Sequence, residues 1–177
     1  MKKDKRWKVI GELTDKTVLG LDGVSDKAPR KTARAIVMND EGLYAVVYAK
    51  KFNLHGLPGG GIEAGETKAE ALRREVLEET GCHCDMIRPL GIISENRAHA
   101  DYTVLSYYFI VHTHTKDGVP NYTKGEKNLG TSLRWCTLEE MNHLVRDIEH
   151  KTNQRKFLQA RDIIALDEYM RRLNDEK

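Results

Sequence analysis

The stretch GGGIEAGETKAEALRREVLEETG, residues 59–81, sets three glycines in a row and then crowds six glutamates into the next twenty positions. Its second half carries the signs of a helix. Thr67 with Glu70 three residues later is a capping-box pattern, and Gly81 suits the left-handed position just past a helix C-terminus. At about 100° per residue, Ala69, Leu72 and Val76 share one arc, with Glu75, Glu78 and Glu79 on the arc beside it. If the apolar arc faces the body of the protein, these carboxylates stand at its edge. A glutamate-rich solvated face is the plain alternative. Against it, no lysine stands four residues after any of the three, those positions being Glu79, Cys82 and His83. Two like charges about 4 Å apart repel by roughly 4 kcal/mol at an effective dielectric near 20. A hard divalent cation offsets that repulsion, since magnesium takes carboxylate oxygens and keeps waters for a phosphate-bearing substrate.

The glycines allow two other readings, and both fail on context. Residues 59–64, GGGIEA, can be laid on the G-x-G-x-x-G/A dinucleotide fingerprint, yet Glu63 and Glu66 would repel a pyrophosphate where a helix N-terminus should meet it. The elements before them read as hairpins where a βαβ unit is needed. A G-x-x-x-x-G-K-[ST] phosphate loop fails because Gly60 and Gly65 are followed by Glu66 and no lysine.

Working outward, WKVIGEL (7–13) and KTVLGLD (16–22) read as two short strands about the turn formers Thr14 and Asp15. KTARAIVMN (31–39) and LYAVVYAKK (43–51) flank Asp40-Glu41-Gly42, a hairpin in which Gly42 can take positive φ. MIRPLGIIS (86–94) and DYTVLSYYFIVHTH (101–114) read as strands, and KDGVPNYTKGEKNLG (116–130) as a loop. SLRWC (132–136) is a short strand. Thr137 with Glu140 is a second capping box, opening a helix near LEEMNHL. NQRKFLQARDIIALDEYMRRL (153–173) should be a helix that packs Leu158, Ile163, Leu166, Met170 and Leu173 on the body. The expectation is an α+β fold with a mixed sheet between helices. It forms one domain over 1–177, with N-terminal strands in 1–30 and a C-terminal helix over 153–177.

Composition narrows the class. A chain of 177 residues fits one domain with a real core, and 40% hydrophobic with 32% charged residues reads as ordinary globular. A net charge of +2 is too small to make nucleic acid or an anionic membrane the main partner. No run of about 18 apolar residues suggests a membrane span. The basic opening lacks an apolar h-region, and Cys82, Cys84 and Cys136 make an odd count, so a reducing cytoplasmic setting is expected.

From Gly60 the chain runs five residues to Glu66, seven more, then Arg74-Glu75-Val76-Leu77-Glu78-Glu79-Thr80-Gly81-Cys82. This spacing resembles the Nudix box, with only the last apolar position loosely met, by Cys82. The approach LHGLPGGGIEAGE (54–66) and the later LRWCTLEEM (133–141) extend the resemblance over most of the chain. It implies an α/β/α sandwich around a mixed sheet. The implied activity is magnesium- or manganese-dependent hydrolysis of a nucleoside diphosphate linked to another moiety. By position, Glu75, Glu78 and Glu79 match the family's metal-binding carboxylates, often joined by the carbonyl at Gly59. Arg74 would hold a glutamate by a charge-assisted hydrogen bond, and Glu66 would support the loop or an outer-shell metal water. The general base would be Glu75 or a glutamate from a later loop, where Glu126 is the candidate. Lys51 and Asn53 precede the box where substrate moieties often bind in the family.

Arg97, with Asn96 and Tyr102, could reach a substrate from the strand after the helix, though sheet packing explains these residues equally well. His112 and His114 alternate on a strand but, without a third partner, read as surface, and Cys82 and Cys84 lack zinc spacing. Only Lys50-Lys51 and Arg73-Arg74 supply basic pairs beside the box, so the expected partner is a small nucleotide and not an RNA chain. Nucleoside triphosphates stand slightly ahead of ADP-ribose, with nucleotide sugars and dinucleoside polyphosphates as further candidates. A homodimer is among the assemblies the resemblance implies. The competing class is a nucleotide sensor that binds without cleaving, but a sensor has no need to keep Arg74, Glu75, Glu78 and Glu79 together.

Overall fold

Strand β2 (Arg30–Asn39) decides the layering, because its side chains alternate between two cores. Ala33, Ala35 and Val37 are fully buried on one face, and Ile36 is fully buried on the other. A strand covered on both sides must lie inside a sheet flanked by two layers. The computed structural model, which describes residues 7–114 and 118–175, places it so. Among the described residues the sheet has eight strands: β1 (Val9–Thr14), β2, β3 (Tyr44–Ala49), β4 (Leu54–Gly56), β5 (Gly59–Gly61), β6 (Met86–Arg97), β7 (Tyr102–Thr113) and β8 (Thr131–Cys136). Their order is β1-β6-β7-β2-β3-β4, with β5 added to β2 and β8 to β3. β1 pairs parallel to β6 and β2 parallel to β7, while the other pairings are antiparallel, so the sheet is mixed.

Helix α2 (Lys68–Thr80) lays Ala71, Leu72 and Val76 on the Ala33–Ala35–Val37 face, where small side chains let the helix lie close. Helices α4 (Leu138–Arg146) and α5 (Asn153–Asp175) cover the other face with Met141, Val145, Phe157, Ala165, Leu166 and Tyr169. The expected α+β sandwich is the observed one. The capping boxes at Thr67/Glu70 and Thr137/Glu140 are formed, and Gly42 and Gly81 take positive φ as their turns require. No helix among the described residues is long and apolar enough to cross a membrane.

Three expectations need correction. KTVLGLD does not form a strand: Asp15–Leu19 is a helix, α1, leaving β1 as the strand of this region. The cause is a third capping box, in which the hydroxyls of Thr14 and Thr17 each accept from the other's backbone N–H at 3.2 and 2.9 Å. The stretch 116–130 does not remain a loop throughout, because Thr123 and Glu126 cap a short helix, α3 (Lys124–Asn128); residues 115–117 lie outside the described residues. The stripe on α5 is less apolar than expected. Leu166 is buried and Ile163, Met170 and Leu173 pack on the core, but Leu158 lines a cavity and the charged pair Arg161–Asp162 is buried in the stripe. Such a pair is tolerable only when its polar atoms are satisfied. Arg161 donates to the Tyr108 hydroxyl at 2.9 Å and reaches Glu95 at 3.4 Å, and Asp162 accepts from the Leu57 N–H at 3.0 Å and from the Tyr108 hydroxyl. The C-terminal helix thereby grips the chain just ahead of Gly59.

Candidate active site

The three glycines are explained by what faces them. A side chain at Gly59, whose φ is +134°, would collide with the Ala33 carbonyl at 2.3 Å and the Arg34 Cα at 2.5 Å, so only glycine lets β5 lie against β2 here. A Cβ at Gly60 would meet the Glu75 carboxylate at 2.4 Å. The glycine run is a floor on which a carboxylate from α2 rests.

Arg74 supplies part of the compensation that the glutamates demand. Its guanidinium binds Glu66 with two parallel bonds, Nε to Oε1 at 2.8 Å and Nη2 to Oε2 at 2.9 Å, and also donates to the Gly61 carbonyl at 2.9 Å. Its Nη1 reaches Glu75 at 2.7 Å and Glu78 at 3.5 Å. Glu66 also accepts from the Glu63 N–H at 2.8 Å, which leaves it occupied with holding Arg74 and the loop. These bonds hold its carboxyl down to about 2.

One cation cannot neutralise Glu66, Glu75, Glu78 and Glu79 together. Glu79 is 8% exposed and has no arginine hydrogen bond among the described residues; its Oε2 accepts from the Gly59 N–H at 2.6 Å. Burial pushes its carboxyl up to about 8, against the pull of that bond and of Arg34, and Glu75 and Glu126 push the same way. Burial likewise raises Glu75, opposed by its bond to Arg74 and aggravated by Glu78. Hard oxygen donors, buried or partly buried, whose combined ionisation a single arginine does not balance form a donor set suited to a divalent cation, and Glu75, Glu78 and Glu79 could hold one.

A cavity of about 280 Å³ opens beside this cluster. Gly59, Glu79 and Glu126 line it, opposite Arg34, His55 and the Arg161–Asp162 pair. The structure thus brings Glu126, distant in sequence, to Glu79. It does so by docking the segment before α3 on the end of α2: Asn121 N–H donates to the Glu78 carbonyl at 2.7 Å, and Gly118 packs directly on Gly81. One oxygen of Glu126 is engaged by the N–H and hydroxyl of Thr123, both at 2.7 Å.

Lys51 and Asn53 are not brought to this cavity. They lie in the turn between β3 and β4, where Lys51 is exposed and the Asn53 side chain accepts from the Tyr48 hydroxyl at 3.1 Å. Arg97 is buried against Glu95, its Nε 2.9 Å from Oε2, and borders a smaller cavity of about 130 Å³ with Arg30, Arg34, Gly60 and Gly61. Asn96 is tied to Ser25, its amide oxygen accepting from the Ser25 N–H at 2.9 Å.

Sequence reasoning missed Arg30 and Arg34, though not Arg97, which borders the same small cavity. Arg30 has no acidic partner among the described residues, and the Nε of Arg34 is buried without a hydrogen-bond partner. Arg34 stands in the middle of an otherwise small and apolar strand segment, ARAIV, and that break in the pattern was the signal that could have found it. His55 was also missed; it lines the cavity, and burial together with the nearby Arg134 and His150 lowers its pKa.

Comparisons with known proteins agree with this geometry. A family model described as NUDIX domain matches residues 28–160. Among curated proteins, a Bacillus subtilis protein named "Putative 8-oxo-dGTP diphosphatase" is 38% identical over 60 residues, 34% of this chain and 40% of that protein. A Caenorhabditis elegans protein, "Putative nudix hydrolase 1", is 40% identical over 67 residues, 34% of this chain and 18% of its own length. These matches therefore span less than half of either relative. Among solved structures, a NUDIX hydrolase from Nitrosomonas europaea has a TM-score of 0.59 at 22% identity, covering 81% of this chain and 89% of that one. A MutT NUDIX hydrolase from Burkholderia pseudomallei has a TM-score of 0.56 at 19% identity, covering 80% and 98%. At these identities the structural likeness establishes the fold.

Proposed function

The chain belongs to the NUDIX family, and from that membership we propose that it is a metal-dependent pyrophosphohydrolase acting on a small nucleoside diphosphate-linked substrate. The observation that carries the reading is the pairing of a cation-seeking carboxylate cluster with arginines across the same glycine floor. Glu75, Glu78 and Glu79, with the Gly59 carbonyl, are the residues that would hold Mg²⁺ or Mn²⁺. Such an ion supplies charge neutralisation of the pyrophosphate and a lowered pKa for a bound water.

The protein's own groups do the rest. Arg74 keeps Glu75 and Glu78 oriented while Glu66 anchors Arg74. Arg34 and Arg30 are placed to receive phosphate oxygens; Arg34 lines both cavities and Arg30 the smaller one, and a guanidinium matches a phosphate with two parallel bonds. The proton of the attacking water goes to a carboxylate, either Glu75, whose raised pKa makes it a better base than an ordinary glutamate, or Glu126 across the cavity.

A free nucleoside triphosphate, ordinary or oxidised, is the favoured substrate. Two or three arginines suffice for its phosphates, and one relative carries the name of an 8-oxo-dGTP diphosphatase. ADP-ribose and nucleotide sugars come next. The test is a magnesium-dependent screen of dGTP, 8-oxo-dGTP, ADP-ribose and UDP-glucose, measuring phosphate and pyrophosphate release. Turnover of triphosphates, with Arg34→Ala raising KM more than it lowers kcat, is expected. Tight nucleotide binding with no cleavage of any compound would establish the sensor class in its place.

A further inference from the structure

At the end of the sheet where β2 and β7 terminate, the pair His112 and His114 acquires the third partner that the sequence did not reveal. Strands β2 and β7 run parallel with Met38 opposite His112 and Asn39 opposite Thr113, so Asp40 comes in step with His114. The ligand atoms of Asp40, His112 and His114 all lie within 4.8 Å of one another. His112 Nε2 stands 3.4 Å from Asp40 Oδ1, and His114 Nδ1 stands 2.8 and 3.0 Å from the two Asp40 oxygens. The two imidazoles meet edge to face with centroids 4.9 Å apart.

We propose that Asp40, His112 and His114 form a binding site for a borderline divalent transition metal such as Zn²⁺, separate from the Glu75–Glu78–Glu79 cluster. The chemistry of the donors selects the ion. Two imidazole nitrogens and one carboxylate suit zinc, cobalt or nickel, whereas magnesium takes oxygen donors. Two of the three donor separations fit as well, and the His112 and His114 nitrogens lie within 4.8 Å of one another. Zinc–ligand bonds of about 2.0–2.1 Å in a tetrahedron put neighbouring donors about 3.3 Å apart. The His112–Asp40 separation already has that value, and the His114–Asp40 contact opens by about half an ångström when a metal replaces the shared proton.

The donors are also held in place before any ion arrives. The Asn39 side chain accepts from the N–H groups of Glu41 at 3.0 Å and Leu43 at 2.9 Å, fixing the turn that carries Asp40. Asp85 accepts from the His114 N–H at 2.8 Å and donates its own N–H to the His112 carbonyl at 3.0 Å, fixing the end of β7. Among the described residues His112 Nδ1 is buried without a hydrogen-bond partner, so Nε2 is the nitrogen through which this ring makes its polar contact. A bound ion would pin the β2–β3 turn to the end of β7. The three-donor site keeps at least one position for water.

The experiment is a titration of tag-free protein with Zn²⁺, and with Co²⁺ for its visible absorption, in the presence of millimolar Mg²⁺. One equivalent bound at micromolar metal is expected, with a rise in the melting midpoint, since an ion held only by the folded state stabilises it. His114→Ala and Asp40→Asn, both at exposed positions, should each weaken binding by about tenfold or more, at least the loss seen when an outer-shell partner is removed. Glu79→Gln should bind zinc as the unaltered protein does. Zinc binding unchanged in His114→Ala and Asp40→Asn, binding lost in Glu79→Gln, or no saturable binding at micromolar metal would each overturn the proposal. His112→Ala is the supporting variant, read only where its circular dichroism matches that of the unaltered chain.

Discussion

Replacing Glu79 by Gln should stabilise the metal-free protein and abolish its activity, and burial sets the size of the first effect. The Glu79 carboxyl is raised from 4.5 to about 8, chiefly because ionisation must occur away from water. A group whose folded pKa lies above its unfolded value stabilises the fold while it is protonated. Between these two values the native state binds more protons than the unfolded chain, so stability falls as pH rises from about 4.5 and the loss is complete above about 8. The ceiling on that loss is on the order of 5 kcal/mol, from about 1.4 kcal/mol per unit, and relaxation around the site lowers it to a few kcal/mol. For a chain of this size each kcal/mol moves the melting midpoint by roughly 2–4 °C. Glutamine keeps the shape and an oxygen for the Gly59 N–H but carries no charge.

In EDTA at a pH near 9, Glu79→Gln should therefore melt roughly 5–10 °C above the unaltered protein, with the gap closing towards pH 5. Millimolar Mg²⁺ should reverse the order, raising only the chain that still has the carboxylate. Thermal melts by circular dichroism across pH, with and without metal, measure all of this. Equal melting of the two proteins in EDTA at alkaline pH would refute the reasoning, because Glu79 would then be solvated or compensated without a metal.

The same geometry sets other expectations. Glu126→Gln should lower kcat by about 10²- to 10⁴-fold at unchanged metal affinity if it is the general base; unaltered kcat would assign that role to Glu75, and a loss of metal affinity alone would make it a ligand. Gly60→Ala places a methyl group 2.4 Å from the Glu75 carboxylate, the mobile end of a side chain. The fold should tolerate it, with a melting midpoint close to that of the unaltered protein, while turnover falls sharply. Free nucleoside triphosphates should be cleaved well ahead of a 5′-triphosphorylated RNA. Comparable rates with a steep salt dependence for the RNA would show an extended basic track that the arginines of the cavity do not provide.

Local rules made much of this protein legible from its residues. Capping boxes and a left-handed glycine are encoded within a few positions, so α2, its ends and its three-glutamate arc could be placed in advance. A hairpin turn at Asp40-Glu41-Gly42 marked β2 and β3, and β-branched and aromatic runs marked β6 and β7, for the same reason. Where a local signal was overlooked, as with Thr14–Thr17 at the start of α1 and Thr123–Glu126 at the start of α3, the reading failed on ground the sequence still held.

Long-range placement was of another kind. No spacing rule tells that Glu126 comes to face Glu79, since their proximity depends on Gly118 packing against Gly81. Lys51 and Asn53 precede the box in sequence yet do not line the cavity, while Arg34 enters from a strand that pairs with the glycines. Asp162 supports the backbone at Leu57 from more than a hundred residues downstream. Asp40 meets His114 only because two strands remote in sequence run parallel and in step. Helix caps and strand periodicity are set by neighbours along the chain. Which charges share a cavity is set by sheet order and packing, which depend on the whole chain at once.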